Sequence, residues 1–359
     1  MEQSNFDMSQ SPQQQADSPG RAVPFDEQRL EAFLKEALPE LSGPMEIKGV
    51  DGGQSNPTFF VTFGARRLVL RKRPPGPLLP SAHAVDREYR VLSALQGSAV
   101  PVPPVLLFHA DETLIGTAFY VMERVEGRIF HDSRLAGAPQ EERRAMYRSA
   151  AKVLAAIHAI DIAAAGLSTF GKSGSYYARQ IARWTRQWEL SKTREMAEIE
   201  RLIDWLPRNL PDDERTTLVH GDFRIGNLIF HPTEPRVVAV LDWELSTLGH
   251  PLADLAHSCV YTWMLEPHQY GGIMGVDLAH EGLPTMEGFI GDYLTAAEEG
   301  GRPGVFELVL ALFRNAVIFE GIAARAREGN ASSSNAAEVG ALAPVFARRA
   351  VALIERGRA

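Results

Sequence analysis

The sequence has little cysteine and no excess of basic residues. Cys259 is the only cysteine of 359 residues, which excludes an intramolecular disulfide and indicates a reducing compartment. Lys and Arg number 37 against 45 Asp and Glu, a net charge of −8. General nucleic-acid binding needs a basic face, so no nucleic-acid partner is expected. Residues 1–20 are polar, so no signal peptide is expected and the predicted location is cytoplasmic.

Long hydrophobic runs are also missing. The most apolar helical stretch, 305–319, is interrupted by Glu307, Arg314 and Asn315. We therefore predict a core helix there and no membrane span or membrane partner. Residues 1–24 are rich in Gln, Ser, Pro and Asp, a composition that cannot bury a core. They are predicted to form a disordered tail.

The most informative stretch is 218–244, which reads LVHGDFRIGNLIFHPTEPRVVAVLDWE. Asn227 follows Asp222 by five positions. A short apolar run, a turn with two prolines and a β-branched run then lead to Asp242. A hairpin of this kind is predicted to bring these three polar side chains into one small volume.

Two carboxylates and a carboxamide oxygen suit a hard cation. Mg²⁺ takes few protein oxygens and completes its shell with water and phosphate oxygens, and phosphoryl transfer uses such an ion. Asp222 is the candidate catalytic residue that orients and deprotonates an acceptor hydroxyl. Asn227 and Asp242 are the candidate metal ligands. A plain β-hairpin with polar turn residues remains the alternative.

The spacing H-x-D-x-x-x-x-N, with a later Asp, is typical of the kinase catalytic loop. With His-Gly-Asp at 220–222 and Asp-Trp-Glu at 242–244, the stretch resembles the aminoglycoside phosphotransferase family, the small-molecule branch of the protein-kinase-like fold. The resemblance implies an α+β, two-lobed fold with a small antiparallel-sheet N-lobe at 25–125 and a large, mainly helical C-lobe at 126–359. It also implies ATP with Mg²⁺ and transfer of the γ-phosphoryl group to a hydroxyl of a small molecule.

Sequence periodicity predicts the main elements of both lobes. Helices are expected at 25–38, 85–95, 143–160, 176–190, 195–206, 304–326 and 341–354, with a further helix starting at Pro251. Strands are expected at 47–50, 58–63, 67–73, 105–109, 117–122, 228–230 and 237–241.

Nine positions are predicted to bind the nucleotide. They are Gly52, Gly53, Ser55 and Asn56 in a glycine turn, Arg71 and Lys72 on a strand, Glu88 on a helix, and Glu123 and Val125 at the hinge implied by the resemblance. Successive strand residues face opposite ways, so Arg71 and Lys72 cannot both reach the phosphates, and family register favours Arg71. A plain hairpin turn and a solvated edge strand are the alternatives.

Three further features have structural interpretations. The resemblance implies that Asp254 braces the catalytic loop. His158, on an apolar helix, is predicted to be a core or helix-end histidine. The aromatic face that carries Trp184 and Trp188 is predicted to be core, or else a wall of the acceptor pocket.

Residues 166–173 match the Walker A pattern G-x-x-x-x-G-K-[ST]. This motif functions only between a buried strand and a helix, whereas the preceding residues are Ala-rich and helical in period. A loop between two helices is therefore predicted, with a P-loop NTPase as a rival function. A catalytically silent nucleotide-binding domain is a second rival, although the intact catalytic residues argue against it.

Several features of the sequence bear on the acceptor. The segment around 87–89, the Gly-Lys-Ser loop and the Trp-bearing helix also resemble the kinase-like domain fused to some acyl-CoA dehydrogenases, which implies a hydroxyacyl-CoA or hydroxy acid acceptor. Residues 237–301 contain acids but no Lys or Arg, which would favour a cationic acceptor instead. Solvated helix faces in an acidic protein are the alternative. Arg314, Arg325 and Arg327 could meet an anionic acceptor such as a coenzyme A phosphate, with surface pairing as the alternative.

Overall fold

The computed structural model describes six segments of the chain, which form two compact units. The segments are 23–50, 56–74, 85–172, 174–297, 300–327 and 336–357. The first unit contains the described residues up to His131 together with Leu228–Glu244. The second contains Asp132–Asn227 and the described residues from Leu245 onward.

The described part of the chain contains ten strands and ten α-helices. The strands are β1 Met45–Gly49, β2 Thr58–Phe63, β3 Arg66–Lys72, β4 Val105–His109, β5 Phe119–Glu123, β6 Arg128–Ile129, β7 Thr217–Val219, β8 Leu228–Phe230, β9 Val237–Val240 and β10 Thr247–Gly249. The helices are α1 Glu27–Ala37, α2 Val85–Leu95, α3 Gln140–His158, α4 Tyr176–Ser191, α5 Ala197–Arg208, α6 Pro251–Trp263, α7 Met286–Ala296, α8 Val305–Arg327, α9 Ala336–Gly340 and α10 Ala343–Arg356.

The first unit is built on a five-stranded antiparallel sheet in the order β1-β2-β3-β5-β4. Helix α1 covers one face, where Leu30 and Leu34 join a core with Leu68 and Leu70 of β3. Side chains alternate along a strand, so the residues between these face the other way. On that side Tyr120 of β5 contacts α2. A small antiparallel sheet, β6-β8-β9, completes the unit.

The second unit is mainly helical. Helices α4, α5, α6, α8 and α10 share one hydrophobic core, and Trp184 and Trp188 of α4 belong to it. The prediction that this aromatic face is core is confirmed. The only sheet of this unit within the described residues is the antiparallel pair β7–β10.

The predicted helices and strands listed above are confirmed, with end shifts of a few residues. The sequence reading missed β6, the β7–β10 pair, α7 and α9. The missed strands have two or three residues each, too few to show alternation. Helix α7 contains Gly288 and Gly291, which weaken its helical signal, and Thr285 caps its first turn.

Two predictions about chain organisation are not tested. Nearly all of the predicted tail, 1–24, lies outside the described residues. The lobes at 25–125 and 126–359 stay a prediction, and the compact units differ from them because β8 pairs with β6 in the first unit. Among the described helices, none has both the length and the apolarity required to cross a membrane.

Candidate active site

The predicted catalytic loop, 220–227, continues directly from β7. It turns at Gly221, whose φ is +84°. A Cβ atom there would lie 2.6 Å from the carbonyl oxygen of Leu245. A side chain would therefore be strained and would also collide with a neighbouring backbone. The glycine of His-Gly-Asp is thus required by the path of the chain.

Asp254 holds the start of this loop. Its carboxylate accepts hydrogen bonds from the backbone N–H groups of His220, at 2.6 Å, and Gly221, at 2.8 Å. The side chain lies in the first turn of α6 and is 2% exposed. Burial raises the pKa of Asp254, but the hydrogen bond and charge of His158 and the contacts with the loop outweigh it, and the pKa is lowered. The bracing position implied by the family resemblance is observed.

His158 is the last residue of α3, and it is buried. Its Nδ1 atom lies 2.8 Å from the hydroxyl of Tyr293, and its Nε2 atom lies 3.5 Å from Oδ2 of Asp254. The prediction of a satisfied helix-end histidine is confirmed. The histidine therefore lies near the same Asp254 oxygen that accepts from the backbone N–H of His220.

The carboxylate of Asp222 is held by three side chains. His257 Nε2 lies 2.9 Å from Oδ1, and Asn227 Nδ2 donates to Oδ2 at 2.9 Å. Arg224 Nε lies 3.4 Å from Oδ2. Burial raises the pKa of Asp222, but the charge of Arg224 and the hydrogen bond of His257 outweigh it and hold the pKa well below its usual range. The carboxylate is therefore ionised and fixed in one orientation.

Asn227 is arranged so that its oxygen stays available. Its Nδ2 group donates to the backbone oxygen of Asp222 at 2.8 Å as well as to the Asp222 carboxylate. Its Oδ1 atom accepts no hydrogen bond within the described part of the chain. A carboxamide oxygen is a ligand that Mg²⁺ accepts. Asn227 therefore fits the predicted role of metal ligand.

In the first unit, Arg71 connects Glu88 and Asp242. Arg71 Nε lies 3.3 Å from Glu88 Oε2, and Arg71 Nη2 lies 3.4 Å from Asp242 Oδ1. Burial lowers the pKa of Arg71, but Glu88 and the other nearby acids outweigh it and raise the pKa. The pairing of a strand cation with a helix glutamate, implied by the resemblance, is present and uses Arg71.

Asp242 has a left-handed backbone, with φ at +66°. Aspartate tolerates this region better than most residues, but the conformation is uncommon and is often found at functional sites. Its side chain is 35% exposed, so at least part of the carboxylate is accessible to a ligand. Among the described residues, no group of three or more His, Cys, Asp or Glu side chains could hold a metal ion.

Lys72 does not fit its predicted role as a phosphate contact. It is 3% exposed and donates to the backbone oxygen of Ile115 at 3.0 Å. Its ammonium group lies 4.9 Å from the ring centre of Phe25, on the face covered by α1. Arg71 precedes Lys72 on the same strand, and successive side chains of a strand point to opposite faces. Arg71 therefore faces α2 while Lys72 faces α1. Of the two cations, Arg71 is the one that pairs with Glu88, and its contact with phosphate stays a prediction.

The remaining predicted nucleotide contacts are in the glycine turn and at the hinge. Gly52, Gly53 and Ser55 lie outside the described residues. Asn56 is 2% exposed, and both polar atoms of its side chain are buried without a hydrogen-bond partner in the described structure. Oε1 of Glu123 lies 2.5 Å from Nη2 of Arg66. Because the side chain is paired in this way, only the backbone of Glu123 is left for a hinge role beside Val125.

The Walker A match is a loop between helices, as predicted. It lies between α3 and α4, and no described strand leads into it. A Cβ atom at Gly171 would lie 2.7 Å from the backbone nitrogen of Leu248, so the loop packs against β10. Ser173 lies outside the described residues. The strand–loop–helix context of a P-loop is absent from the described structure around 166–172, and the P-loop NTPase reading is wrong.

Two residues that contact Asp222, Arg224 and His257, were not predicted from the sequence. Arg224 is two positions from Asp222. Its positive charge within the predicted catalytic loop was a signal that could have identified it. His257 is 35 positions away and is brought in by α6. Its spacing of three from Asp254 places both on one side of the helix, and this was the signal available.

A small antiparallel sheet, a helical unit and a braced His-Gly-Asp loop define a protein-kinase-like phosphotransferase fold. A model described as the phosphotransferase enzyme family matches residues 46–289. The chain belongs to that family. Family and fold together support a kinase-type enzyme that acts on small molecules.

Solved structures agree with this class. One from Ralstonia eutropha JMP134, provisionally named an aminoglycoside phosphotransferase, is 40% identical, with a TM-score of 0.84 over 92% of this chain and 99% of its own. Choline kinase from Cryptosporidium parvum is 16% identical, with a TM-score of 0.61 over 92% of this chain and 97% of its own, and shows the fold alone. The same holds for aminoglycoside phosphotransferase APH(4)-Ia with AMP-PNP and hygromycin B, which is 18% identical at a TM-score of 0.59 over 90% of this chain and 98% of its own.

The curated relatives of this chain are acyl-CoA dehydrogenase family members. Mouse acyl-CoA dehydrogenase family member 10 is 44% identical over 92% of this chain and 31% of its own length. Rat acyl-CoA dehydrogenase family member 11 is 43% identical over 87% of this chain and 41% of its own. The chain thus spans about a third to two-fifths of these relatives. The predicted resemblance to the kinase-like domain of such proteins is confirmed.

Proposed function

We propose that this chain is an ATP- and Mg²⁺-dependent phosphotransferase that moves the γ-phosphoryl group to a hydroxyl of a small molecule. The observation that carries the proposal is the ionised Asp222 carboxylate on a loop whose backbone is fixed by Asp254. Asn227, with a free carboxamide oxygen, lies beside it. Base and metal ligand at this spacing are what phosphoryl transfer requires.

Asp222 has two tasks in the reaction. It accepts a hydrogen bond from the acceptor hydroxyl and so aims the oxygen at the γ-phosphorus. It then takes the proton as the new oxygen–phosphorus bond forms and the bond to the bridging oxygen of ADP breaks. Its low pKa makes it a weak base, which suits a loose transition state in which the proton leaves late.

Asn227 and Asp242 are proposed to hold Mg²⁺. When bound, the ion neutralises charge on the nucleotide phosphates. Arg71, paired with Glu88, is proposed to contact the same phosphates. The binding of AMP-PNP by APH(4)-Ia, a protein of the same fold, supports ATP as the phosphoryl donor. The glycine turn, Asn56 and the hinge backbone stay proposals for nucleotide contacts.

The acceptor is proposed to be a hydroxyacyl-CoA or a hydroxy acid. Support comes from the names of the curated relatives, which are acyl-CoA dehydrogenase family members and match this chain over part of their length. The name aminoglycoside would then describe the family and not the substrate. A cytoplasmic location is also proposed, because a single cysteine fits a reducing compartment.

The test is ADP release from Mg-ATP over a panel of hydroxylated compounds. The panel contains hydroxyacyl-CoA thioesters, hydroxy acids, amino alcohols, sugars and aminoglycosides. We expect acceptor-dependent release that Asp222→Asn reduces about 10²- to 10⁴-fold, the usual contribution of a general base. Mg-ATP binding should survive the substitution. Mg-ATP binding without any acceptor-dependent release would favour the silent nucleotide-binding domain.

A further inference from the structure

A groove of about 490 Å³ follows one face of α4 in the second unit, and four cations line it. They are Lys172, in the loop before the helix, and Arg179, Arg183 and Arg186 on the helix itself. Spacings of four and three residues place the three arginines on one side of the helix. At a rise of about 1.5 Å per residue, they form a row about 10 Å long.

The described residues that line this groove include no acid. Lys172, Arg183 and Arg186 form no ion pair with an acid in the described segments. The acid that follows on the helix, Glu189, contacts Lys192 at 3.1 Å instead. A row of like charges on adjacent turns of a helix is unfavourable by itself. In a chain of net charge −8, such a row is complementary to a ligand with several negative charges.

The N-terminal end of the groove has a defined arrangement. Nη2 of Arg179 donates to the backbone oxygen of Lys172 at 2.5 Å and so joins the loop to the helix. Lys172 belongs to the segment that matches the Walker A pattern, and here it lies beside the arginines of α4. Cations whose positions are fixed before binding lose less conformational entropy when a ligand binds.

Trp184 connects the groove to the candidate base. The guanidinium carbon of Arg183 lies 5.0 Å from the ring centre of Trp184. Trp184 and His257 line a neighbouring cavity of about 20 Å³, and Nε2 of His257 contacts Asp222. This small cavity has room for about one water molecule. The groove is therefore the volume in which a ligand fits, and it lies next to the residues that support Asp222.

Three acids of the stretch from 237 to 301 are paired with arginines from outside it. Glu281 contacts Arg134 and Arg143, each at 2.6 Å, Glu287 contacts Arg302, and Asp292 contacts Arg148 at 3.5 Å. The sequence argument for a cationic acceptor loses its basis in these three acids, whereas the groove on α4 offers charge of the opposite sign.

We propose that the groove binds the phosphate groups of a coenzyme A thioester, so that the acceptor is a hydroxyacyl-CoA and not a free hydroxy acid. Such a thioester carries a diphosphate and a 3′-phosphate on a flexible arm that ends in the acyl group. Guanidinium groups donate two parallel hydrogen bonds to phosphate oxygens, and a row of them suits separated phosphates better than one carboxylate. With its phosphates in the groove, the thioester extends its hydroxyacyl end toward Asp222. This inference rests on the proposed function and selects between the two acceptors proposed there.

The test compares acceptors that share one hydroxyacyl group and differ in phosphates. ADP release is measured with the coenzyme A thioester, the dephospho-coenzyme A thioester, the pantetheine thioester and the free hydroxy acid. We expect the KM of the pantetheine thioester and of the free acid to exceed that of the coenzyme A thioester at least 100-fold, since two or more charge-assisted hydrogen bonds are lost. The dephospho compound should lie between them. The kcat of the pantetheine thioester should stay within about threefold, because the phosphates are distant from the reacting hydroxyl. Equal KM values would overturn the inference.

Variants locate the site on α4. Arg183→Met and Arg186→Met should each raise the KM of the coenzyme A thioester about tenfold. The KM of the pantetheine thioester should change less than twofold in both. Arg201→Met is the matched control, because this arginine lies on the neighbouring helix α5, pairs with Glu355 and does not line the groove. An equal rise for both thioesters, or a rise in the control as large as in the other variants, would contradict the assignment.

Failure of this inference differs from failure of the proposed function. If no compound releases ADP, coenzyme A and inorganic pyrophosphate are titrated into the nucleotide-free chain. Binding of coenzyme A that the Arg183→Met, Arg186→Met double variant weakens at least tenfold supports the groove even though the kinase proposal fails. Absence of binding, or binding that the double variant leaves unchanged, overturns the groove. Equal affinity for pyrophosphate and coenzyme A also overturns it, since the groove would then be a general anion surface.

Discussion

The Nε2 atom of His257 lies 2.9 Å from the Oδ1 atom of Asp222, and this contact ties the proposed base to α6. Asp254, one turn earlier on the same helix, holds the backbone just before Asp222. One helix therefore fixes both the loop and its carboxylate. Burial lowers the pKa of His257, so the ring is neutral at neutral pH and contributes a hydrogen bond more than a charge.

His257→Phe is expected to move the acid limb of the pH–rate profile to higher pH. The hydrogen bond of His257 lowers the pKa of Asp222, while burial raises it. Removing the bond lets the pKa rise, so a larger fraction of Asp222 is protonated at a given low pH. The shift in kcat/KM should be about one pH unit, since a hydrogen bond to a charged group contributes about 1.5 kcal/mol or more.

His257→Gln is the control for this shift, because its amide can still donate to Asp222. It should keep most of the wild-type profile. A purely packing role for His257 would instead lower kcat/KM equally at every pH in both variants. Such a flat loss would contradict the assigned contact.

Asp254→Asn is expected to destabilise the fold and to lower kcat. Asparagine has one acceptor oxygen in place of two, so a buried N–H of His220 or Gly221 would lose its partner, at a cost of about 1–3 kcal/mol. Since the pKa of Asp254 is lowered, its stabilising contribution is present at neutral pH and is lost as pH falls through the folded-state pKa. The difference in urea unfolding free energy should therefore shrink in acid.

Asp204→Asn serves as the comparison for Asp254. Asp204 is exposed, and among the described residues it pairs only with Arg208 one turn along its helix, a contact worth about 0.5 kcal/mol or less. An equal loss of unfolding free energy in both variants would contradict the bracing role.

The sequence predicted most of the fold because its helices and strands are long enough to show their periods. It also predicted Asp222 and Asn227 as a pair, since both lie on one loop. His257 could not be found in this way, because its contact with Asp222 depends on how α6 packs against the loop. The pairing of Glu281 and Glu287 with distant arginines was hidden for the same reason, and the acid-rich stretch suggested a cationic substrate.

Alternation along β3 predicted that Arg71 and Lys72 face opposite ways, but not which one meets Glu88. That choice depends on which face α1 covers. Apolar residues Leu68 and Leu70 share a face with Lys72, so packing of α1 on them also buries Lys72. The buried ammonium group then finds the oxygen of Ile115.

Arg71→Met and Lys72→Met are expected to separate nucleotide binding from packing. Arg71→Met should weaken Mg-ATP binding about 10- to 100-fold, because hydrogen bonds to charged groups are worth about 1.5–3 kcal/mol. Lys72→Met should leave the Kd within about twofold, since its side chain faces α1. Isothermal titration of both variants measures the two values, and a larger loss in Lys72→Met would contradict the assignment.

Asp242→Ala is expected to abolish the effect of Mg²⁺ on nucleotide affinity. The wild-type chain should bind ATP more tightly with Mg²⁺ than with EDTA, because the proposed ion would link the Asp242 carboxylate to the phosphates. The variant should show one Kd under both conditions. Its Kd without metal should stay close to wild type, or tighten slightly, since the carboxylate no longer competes with phosphate for Arg71.

Glu244→Ala controls for the general loss of an acid near Arg71. Equal affinity with and without Mg²⁺ in the wild type would exclude the proposed metal site, whatever the variant does.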